Sequence, residues 1–400
     1  MKKTLYVIFS YYFIQGMVHN LGHPITPTYV NDLGLNPRMF GFFFSFMALG
    51  IVVGSLFWGV LGDRYKNRPL IFFGLFSYSI AQVGFGTFSD PVVMTMFRFL
   101  AGFSVSSSIT LLLAYTIYHS PDEDRVKNIA ITAALIALGT TFGYQIGGLL
   151  GNRIIREVFY VQALANLVYA LYVGVTYKEF DGKHVNRAKL TDQFKTALTL
   201  KPSLLIFLVG LSLATIAATN LSKYLDVYII DSGYTPAQLG TFVLVTGIVG
   251  ILTNFFLVPQ VAKLNKNMWI MRYLQVASAL IIVVVFQITP LMLALYTLFL
   301  VYVMAKSMFE PLEKNYISLS ATPQTYASLM GVRQMFFSIG MVLGPLISGF
   351  LYEVNPLFVF YFSSVMFALA FVLLTWSDRH TLKQNGRLSP KSPPLSLDEM

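Results

Sequence analysis

Long apolar runs separated by short polar connectors recur along almost the whole chain. A helix needs about 20 mostly apolar residues to cross a lipid bilayer. By that measure the pattern predicts twelve spans, over residues 4–23, 38–61, 69–88, 91–118, 127–150, 157–177, 203–230, 237–261, 268–288, 291–317, 326–350 and 357–376. We therefore expect an all-α membrane protein with twelve transmembrane helices.

The longest internal polar stretch, residues 178–202, divides these helices into two sets of six. We expect two six-helix pseudo-repeat bundles, formed by residues 1–177 and 203–376 and joined by a cytoplasmic linker over 178–202. Residues 377–400 are polar and rich in Pro and Ser. Such a composition predicts a disordered cytoplasmic tail.

The composition excludes several other classes of protein. Only 12% of the residues are charged and 56% are hydrophobic, which is too little charge for a soluble surface. The chain has no cysteine, so disulfides, thiolate chemistry and cysteine-based metal sites are excluded. The sequence also has no metal-binding His cluster and no phosphate-binding glycine loop with its lysine, so we expect no enzyme, no metal and no cofactor.

The placement of the basic residues matters more than the net charge of +10. Lys and Arg form no continuous basic face, which argues against nucleic acid as a partner. With the N-terminus inside, twenty of the 28 basic residues fall on the cytoplasmic side, and only Arg38, Arg153 and Arg156 fall outside. Because Lys and Arg are enriched in cytoplasmic connectors, we expect a multi-pass protein of the cell membrane with both termini in the cytoplasm.

A charged connector, GVLGDRYKNRPL, follows the second predicted span. It resembles the loop signature G-x-L-x-D-R-x-G-R-R of the major facilitator superfamily of secondary transporters. Lys66 stands where the family has its second glycine, and Asn67 replaces a basic residue. The residues that match are Gly59, Leu61, Asp63, Arg64 and Arg68. The resemblance implies alternating access between two bundles, with this loop as a conformational gate.

Glycines in the fifth and eleventh predicted spans show that the two halves are alike. GTTFGYQIGG and GMVLGPLISG share glycines 201 positions apart, 139 to 340, 143 to 344 and 148 to 349. Both resemble the antiporter motif G-x8-G-x3-G-P-x2-G-G of family members that export substrates. In the first segment Tyr144 stands where the motif has its proline. The glycines and the proline of the two segments are Gly139, Gly143, Gly147, Gly148, Gly340, Gly344, Pro345 and Gly349. They fit close helix packing in any transporter as well as an antiporter-specific hinge.

Polar side chains in the first and fourth spans are candidates for the substrate cavity or for coupling. Arg98 lies inside the fourth span, where the family pattern also has an arginine, and intramembrane charges usually face a cavity or a partner. Gln15 and His19 lie in the first span, where many of the related antiporters place a carboxylate and this chain has none. A coupling role for Arg98 or His19 competes with simple packing or hydrogen bonding.

Intramembrane acids are confined to the second half of the chain. Asp226 lies in the seventh span, and Glu310 and Glu313 lie in the tenth. Proton-coupled carriers need a buried carboxylate that takes up and releases protons near neutral pH. The basic residues predicted to lie near these acids are Lys223, Lys306, Lys314 and Arg333. The alternative role is an ion pair that only holds helices together. We expect the tenth-span cluster to be the more buried of the two.

Together these features predict a secondary active transporter, most like the twelve-span drug/proton antiporters. It would act as a monomer in the lipid bilayer and export a small amphipathic molecule in exchange for protons. Uptake by proton symport or facilitated diffusion of a sugar or organic acid remains open, and so does translocation of a lipid or glycolipid headgroup. A non-transporting sensor would need an added soluble domain, which the sequence does not show.

The gate interpretation of the Gly59–Leu70 connector predicts an effect of charge at Asp63. This carboxylate should contact the other bundle near the N-terminal end of the eleventh span and stabilise the outward-facing state. Asp63→Asn should therefore shift the population toward inward-facing forms, and Asp63→Glu should not. The natural absence of cysteine allows labelling of single introduced cysteines from either side. Equal labelling rates in the Asn and Glu variants would contradict the gate.

Overall fold

The computed structural model describes residues 2–121, 123–179, 195–264, 267–320 and 325–388. Within these ranges the regular structure is helical, without strands. In the first half the helices are α1 (Lys2–His19), α2 (Thr26–Asp32), α3 (Arg38–Gly62), α4 (Asn67–Thr87), α5 (Pro91–His119), α6 (Arg125–Gly151) and α7 (Glu157–Thr176).

The second half repeats this order with small interruptions. Its helices are α8 (Pro202–Asp231), α9 (Pro236–Leu252), α10 (Val258–Ala262), α11 (Asn267–Val285), α12 (Leu291–Leu295), α13 (Leu298–Leu319), α14 (Tyr326–Val354) and α15 (Pro356–Leu388). A π turn, Thr253–Leu257, joins α9 to α10 so that they form one continuous span. The predicted end of the last span at residue 376 lies inside α15, which continues to Leu388.

Eleven helices of the described residues are long and apolar enough to cross a membrane. The remaining long helix, α1, packs against α6 and α7 within the first bundle. The all-α, twelve-helix, two-bundle architecture predicted from the sequence is therefore confirmed. The first span is shorter than predicted, because a turn after His19 leads into the separate short helix α2.

Equivalent helices pack in the same way in both halves. α1 packs on α6 as α8 packs on α14, and α4 packs on α7 as α11 packs on α15. The two bundles meet along two contacts, α3 with α14 and α6 with α9. This arrangement is the pseudo-twofold organisation expected of a duplicated six-helix unit.

The connectors that lead from α2 to α3 and from α8 to α9 end their helices with the same backbone motif. Gly34 and Gly233 have positive φ angles of 64° and 88°, which glycine adopts without steric cost. The following N–H groups, of Leu35 and Tyr234, donate to carbonyls five residues back at 3.1 and 3.2 Å. Both connectors read D-x-G-x-[NT]-P, at residues 32–37 and 231–236. We call this end of the bundles the outer end, because the predicted topology places it outside the cell.

The glycine motif brings helix backbones into contact inside each bundle. A side chain at Gly139, Gly143 or Gly147 would meet the carbonyl oxygens of α1 and the turn after it. In the second half, Gly340 and Gly344 face α8 in the same manner. Small residues at such positions allow closer approach than any larger side chain would.

This packing predicts that Gly147→Ala destabilises the first bundle. The added methyl group would press on the Leu21 carbonyl, and such overpacking costs about 1–3 kcal/mol. The thermal unfolding temperature of the detergent-solubilised protein should fall. Gly174→Ala is the matched control, because its new methyl group would lie 3.4 Å from the Phe72 ring, an ordinary contact. Equal unfolding temperatures for the two variants would show that the close approach carries no stability.

Candidate functional site

A cavity of about 410 Å³ lies between the two bundles. Helices α6, α8, α9 and α13 line it, together with Asn20 from the turn after α1. A second cavity of about 250 Å³ lies inside the second bundle, among α8, α11, α13 and α14. Ser222, Tyr302 and Lys306 line both cavities and so mark where the two adjoin.

Asp226 is a buried carboxylate at the wall of the central cavity, with 3% of its surface exposed. The Tyr144 hydroxyl of α6 donates a hydrogen bond to Asp226 Oδ2 at 3.1 Å, and so joins the first bundle to the second. Lys223, three residues earlier on α8, places Nζ 3.4 Å from the Tyr144 hydroxyl oxygen. One tyrosine hydroxyl thus lies between an ammonium and a carboxylate.

Lys223 also reaches directly into the first bundle. Its Nζ lies 3.2 Å from His23 Nδ1 and 4.3 Å from the centre of the Phe44 ring. An ammonium in this position gains a hydrogen bond and a cation–π interaction. We call Tyr144, Asp226, Lys223 and His23 the cross-bundle network.

Further contacts close the two bundles against each other at the outer end. The Ser45 hydroxyl donates to the Val342 carbonyl at 2.7 Å, and the Gly41 N–H donates to the Tyr224 hydroxyl oxygen at 2.9 Å. Nearer the surface, the Asn31 amide donates to Asp231 and the Asn36 amide donates to Glu353, at 2.9 and 2.7 Å. The bundles are therefore held together at the outer end, around and beyond the cross-bundle network.

Three members of this network were not among the predicted site residues. The sequence pattern does not single out His23, shows Tyr144 only as a departure from the glycine motif, and gives Lys223 only as a neighbour of Asp226. The signal for Tyr144 was its position: it is equivalent to Pro345, 201 residues later. Both residues face a glycine across the bundle interface with their carbonyl groups, Gly240 for Tyr144 and Gly41 for Pro345. The two positions differ in their side chains, because Tyr144 carries a hydroxyl group and Pro345 has no polar side-chain atom.

The acids of α13 are divided between two environments. Glu313 is fully buried and pairs with Arg333 of α14, which donates from Nε to both carboxylate oxygens at 3.0 and 3.3 Å. Glu310 is exposed and pairs with Lys314 at 2.7 Å, one turn along the same helix. The expectation that the tenth-span cluster is the more buried is therefore wrong for Glu310 and Lys306. Both acids face the second cavity, as residues three apart on a helix do, but the Arg333 guanidinium covers Glu313 whereas Glu310 stays accessible.

The predicted residues of the first and fourth spans lie inside the first bundle, away from both cavities. The Arg98 guanidinium lies 3.6 Å from the centre of the Phe85 ring and donates to the Thr26 hydroxyl at 3.3 Å. His19 Nε2 lies 3.0 Å from Asn166 Oδ1, and Gln15 is buried. The structure does not place these side chains beside Asp226. Their roles in coupling stay predictions.

The predicted gate loop is exposed at Asp63, Arg64 and Arg68. The Glu179 carboxylate accepts hydrogen bonds from the backbone N–H groups of Asn67 and Arg68, at 3.2 and 2.8 Å, and so caps the start of α4. The sequence also makes the acidic run 122–124 a candidate partner for the basic residues of this loop, and residue 122 lies outside the described residues. Of the glycine motif, Gly148 packs on Pro236 and Gly349 on Arg38, both across the bundle interface.

No group of three or more His, Asp or Glu side chains is arranged to hold a metal ion in the part of the chain that the structure describes. What the site offers instead is a buried carboxylate and two lysines around a cavity with aromatic walls. Such a site can bind an amphipathic molecule and can exchange a proton.

Comparison with solved structures places this fold among membrane transporters. A bacterial homologue of the human lysosomal transporter Spinster, in an inward-facing and unoccupied conformation, superposes with a TM-score of 0.78 at 14% identity, over 96% of this chain and 98% of that one. A mutant of the nucleoside transporter NupG superposes with a TM-score of 0.75, also at 14% identity, over 94% of this chain and 99% of that one.

The family model of the Major Facilitator Superfamily matches residues 8–318 and 274–397. The chain belongs to the Major Facilitator Superfamily, whose members are transporters rather than enzymes. It is 23% identical to Multidrug resistance protein 1 of Bacillus subtilis (strain 168) over 95% of this chain and 98% of that protein. It is 25% identical to Quinolone resistance protein NorA of Staphylococcus aureus (strain MRSA252) over 96% of this chain and 99% of that protein.

The cross-bundle network predicts that Tyr144→Phe loosens closure at the outer end. The variant loses a hydrogen bond to a charged group, which contributes about 1–3 kcal/mol. A cysteine introduced at Ser45, which is 2% exposed at the bundle interface, should then react several-fold faster with a membrane-impermeant maleimide. Tyr12→Phe is the control, because its hydroxyl pairs with Thr116 inside the first bundle. A labelling rate in Tyr144→Phe no higher than in the control would exclude a closing role for the hydroxyl.

Proposed function

We propose that this transporter exports a small amphipathic molecule in exchange for protons, by alternating access. The observation that carries the proposal is Asp226, a buried carboxylate that lines the central cavity and is hydrogen-bonded to the opposite bundle. A proton on this one group can alter both the charge of the cavity and the contact between the bundles.

Closure at the outer end, with the predicted topology, corresponds to an inward-facing form. In that form the ionised Asp226 accepts the Tyr144 hydroxyl hydrogen and balances the charge of Lys223. A buried charge that loses its compensation is strongly destabilising. Protonation of Asp226 therefore weakens the network and allows the outer end to open.

A bound substrate can release the same network by competing for Lys223 or for the Tyr144 hydroxyl, since both line the cavity beside Asp226. The empty, ionised carrier stays closed at the outer end, whereas either a proton or a substrate opens it. Because a proton and a substrate each open the outer end by breaking the same network, the carrier exchanges one for the other. The names of the relatives, multidrug and quinolone resistance proteins, support export of drug-like molecules.

Proton-coupled uptake of an organic acid is the second candidate. It is favoured by Lys306, a cation in the central cavity that has no carboxylate partner among the described residues. The direction of proton flow that accompanies the substrate separates the two candidates.

The other predicted site residues receive supporting roles in this proposal. Glu313 and Arg333 hold α13 to α14 as a buried ion pair. Glu310, at the wall of the second cavity, stays a candidate for proton coupling. The Asp63 loop would engage when the inner ends close, which is the form opposite to the one described here. We further propose that the protein works as a monomer with both termini in the cytoplasm.

Asp226→Asn tests the central step. The amide cannot exchange a proton, so proton flux driven by substrate should fall at least tenfold, while exchange of labelled substrate across the membrane without a pH gradient continues. The assay uses proteoliposomes with an internal pH-sensitive dye and a panel of amphipathic dyes and drugs. Acidification of the vesicle interior during efflux of substrate from that interior identifies antiport, and alkalinisation of the interior during the same efflux identifies symport.

Two controls accompany this experiment. Asp226→Glu keeps the carboxylate and should retain coupling, and Asp32→Asn neutralises an exposed acid at the outer end and should change nothing. Wild-type pH dependence of transport in Asp226→Asn would rule out the proposed role of this carboxylate.

A further inference from the structure

We infer that the substrate carries an acidic group, a carboxylate or a chemically similar anion, that binds to Lys306. This inference rests on the proposed transport function and adds the class of substrate to it. It concerns binding alone and holds for either direction of transport.

Lys306 lies where the two cavities adjoin. It is exposed on α13 and lines both the central cavity and the cavity of the second bundle. Among the described residues, no carboxylate lies within ion-pair distance of its ammonium group. Its neighbour one turn along, Glu310, is engaged by Lys314 at 2.7 Å, and Glu313 is engaged by Arg333.

Counting the charges of this region leaves one positive charge without a counterpart. Around the second cavity and on α13, three cations (Lys306, Lys314 and Arg333) face two carboxylates (Glu310 and Glu313), a difference of +1. Lys223 and Asp226 balance each other in the network described above. An uncompensated charge at membrane depth is costly, so a binding partner of opposite charge is strongly favoured.

The remaining walls define the rest of the ligand. Around the central cavity, the rings of Phe242, Phe299 and Tyr302 provide apolar surface, and the hydroxyls of Thr140 and Thr246 provide polar contacts. A volume of about 410 Å³ fits a drug-sized molecule with an aromatic or aliphatic body. The ligand is therefore an amphipathic organic anion.

Charge balance also connects this anion to the proton. With the anion bound and Asp226 ionised, two negative groups face Lys223 and Lys306, and the cavity is neutral. A neutral cavity can change its accessibility without moving net charge through a medium of low dielectric constant. The substrate-loaded form is therefore neutral when Asp226 is ionised, because the bound anion and the carboxylate balance the two lysines.

The test compares two fluorescent probes that differ only in charge, pyrenebutyrate and pyrenebutyramide, bound to the purified protein in a neutral detergent. Fluorescence anisotropy gives both affinities without any pH gradient. Wild type should bind the carboxylate roughly ten- to a hundredfold more tightly than the amide, the range of a charge-assisted hydrogen bond. Lys306→Met should lose this preference while keeping its affinity for the amide, and Lys306→Arg should restore it.

The control is Lys263→Ala, which removes an exposed positive charge from the same half of the chain but outside both cavities. It should keep the wild-type preference. Displacement of pyrenebutyrate by benzoate or by an anionic lysolipid supports the acidic group and distinguishes a free acid from a lipid headgroup as its source. Displacement by neither, or an unchanged preference in Lys306→Met, overturns the inference. Retained proton coupling in Asp226→Asn together with an intact carboxylate preference would overturn the proposed function and leave this inference standing.

Discussion

The hydrogen bond from Tyr144 to Asp226 is the contact on which the rest of the arrangement depends, because it links a buried charge of one bundle to a donor of the other. A carboxylate at membrane depth requires compensation, and Lys223 supplies it. Lys223 is in turn held by His23 and by the Phe44 ring, which belong to the first bundle. The same residues therefore determine both the charge of the cavity and the closure of the bundles, and under the proposed function a single proton changes both.

Backbone packing makes this contact possible. The glycines of α6 and α14 bring those helices against α1 and α8, and Gly148 and Gly349 bring the two bundles together. The same connector motif ends α2 and α8 with a glycine of positive φ, so the following helices start at equivalent depths. Only with the backbones this close can a tyrosine hydroxyl reach a carboxylate that lies 82 positions away in the sequence.

The sequence predicted the helices, their division into two bundles and the acidic positions of the seventh and tenth spans, because each depends on composition and local spacing. It did not predict which acids are buried, since Glu310 and Glu313 lie three residues apart on the same side of α13, and Arg333, which covers Glu313, comes from another helix. The hydrogen bond between Tyr144 and Asp226 could not be predicted either, because sequence spacing relates residues of one helix and these two lie on different helices. Aligning the halves on their shared glycines, 201 positions apart, pairs Tyr144 with Pro345 and shows that a polar side chain replaces the proline of the motif, but it does not name Asp226 as the partner.

The replacement of the motif proline by Tyr144 has a mechanical consequence. The two interfaces between the bundles are alike in their backbone contacts, with Gly41 at the carbonyl of Pro345 and Gly240 at the carbonyl of Tyr144. They differ in chemistry, because the α6 side carries the Asp226 carboxylate in its contact, whereas the α3–α14 side is joined by the hydroxyls of Ser45 and Tyr224. Under the proposed function, protonation therefore acts first on the α6 side, and the loosening then reaches Ser45 on the α3–α14 side.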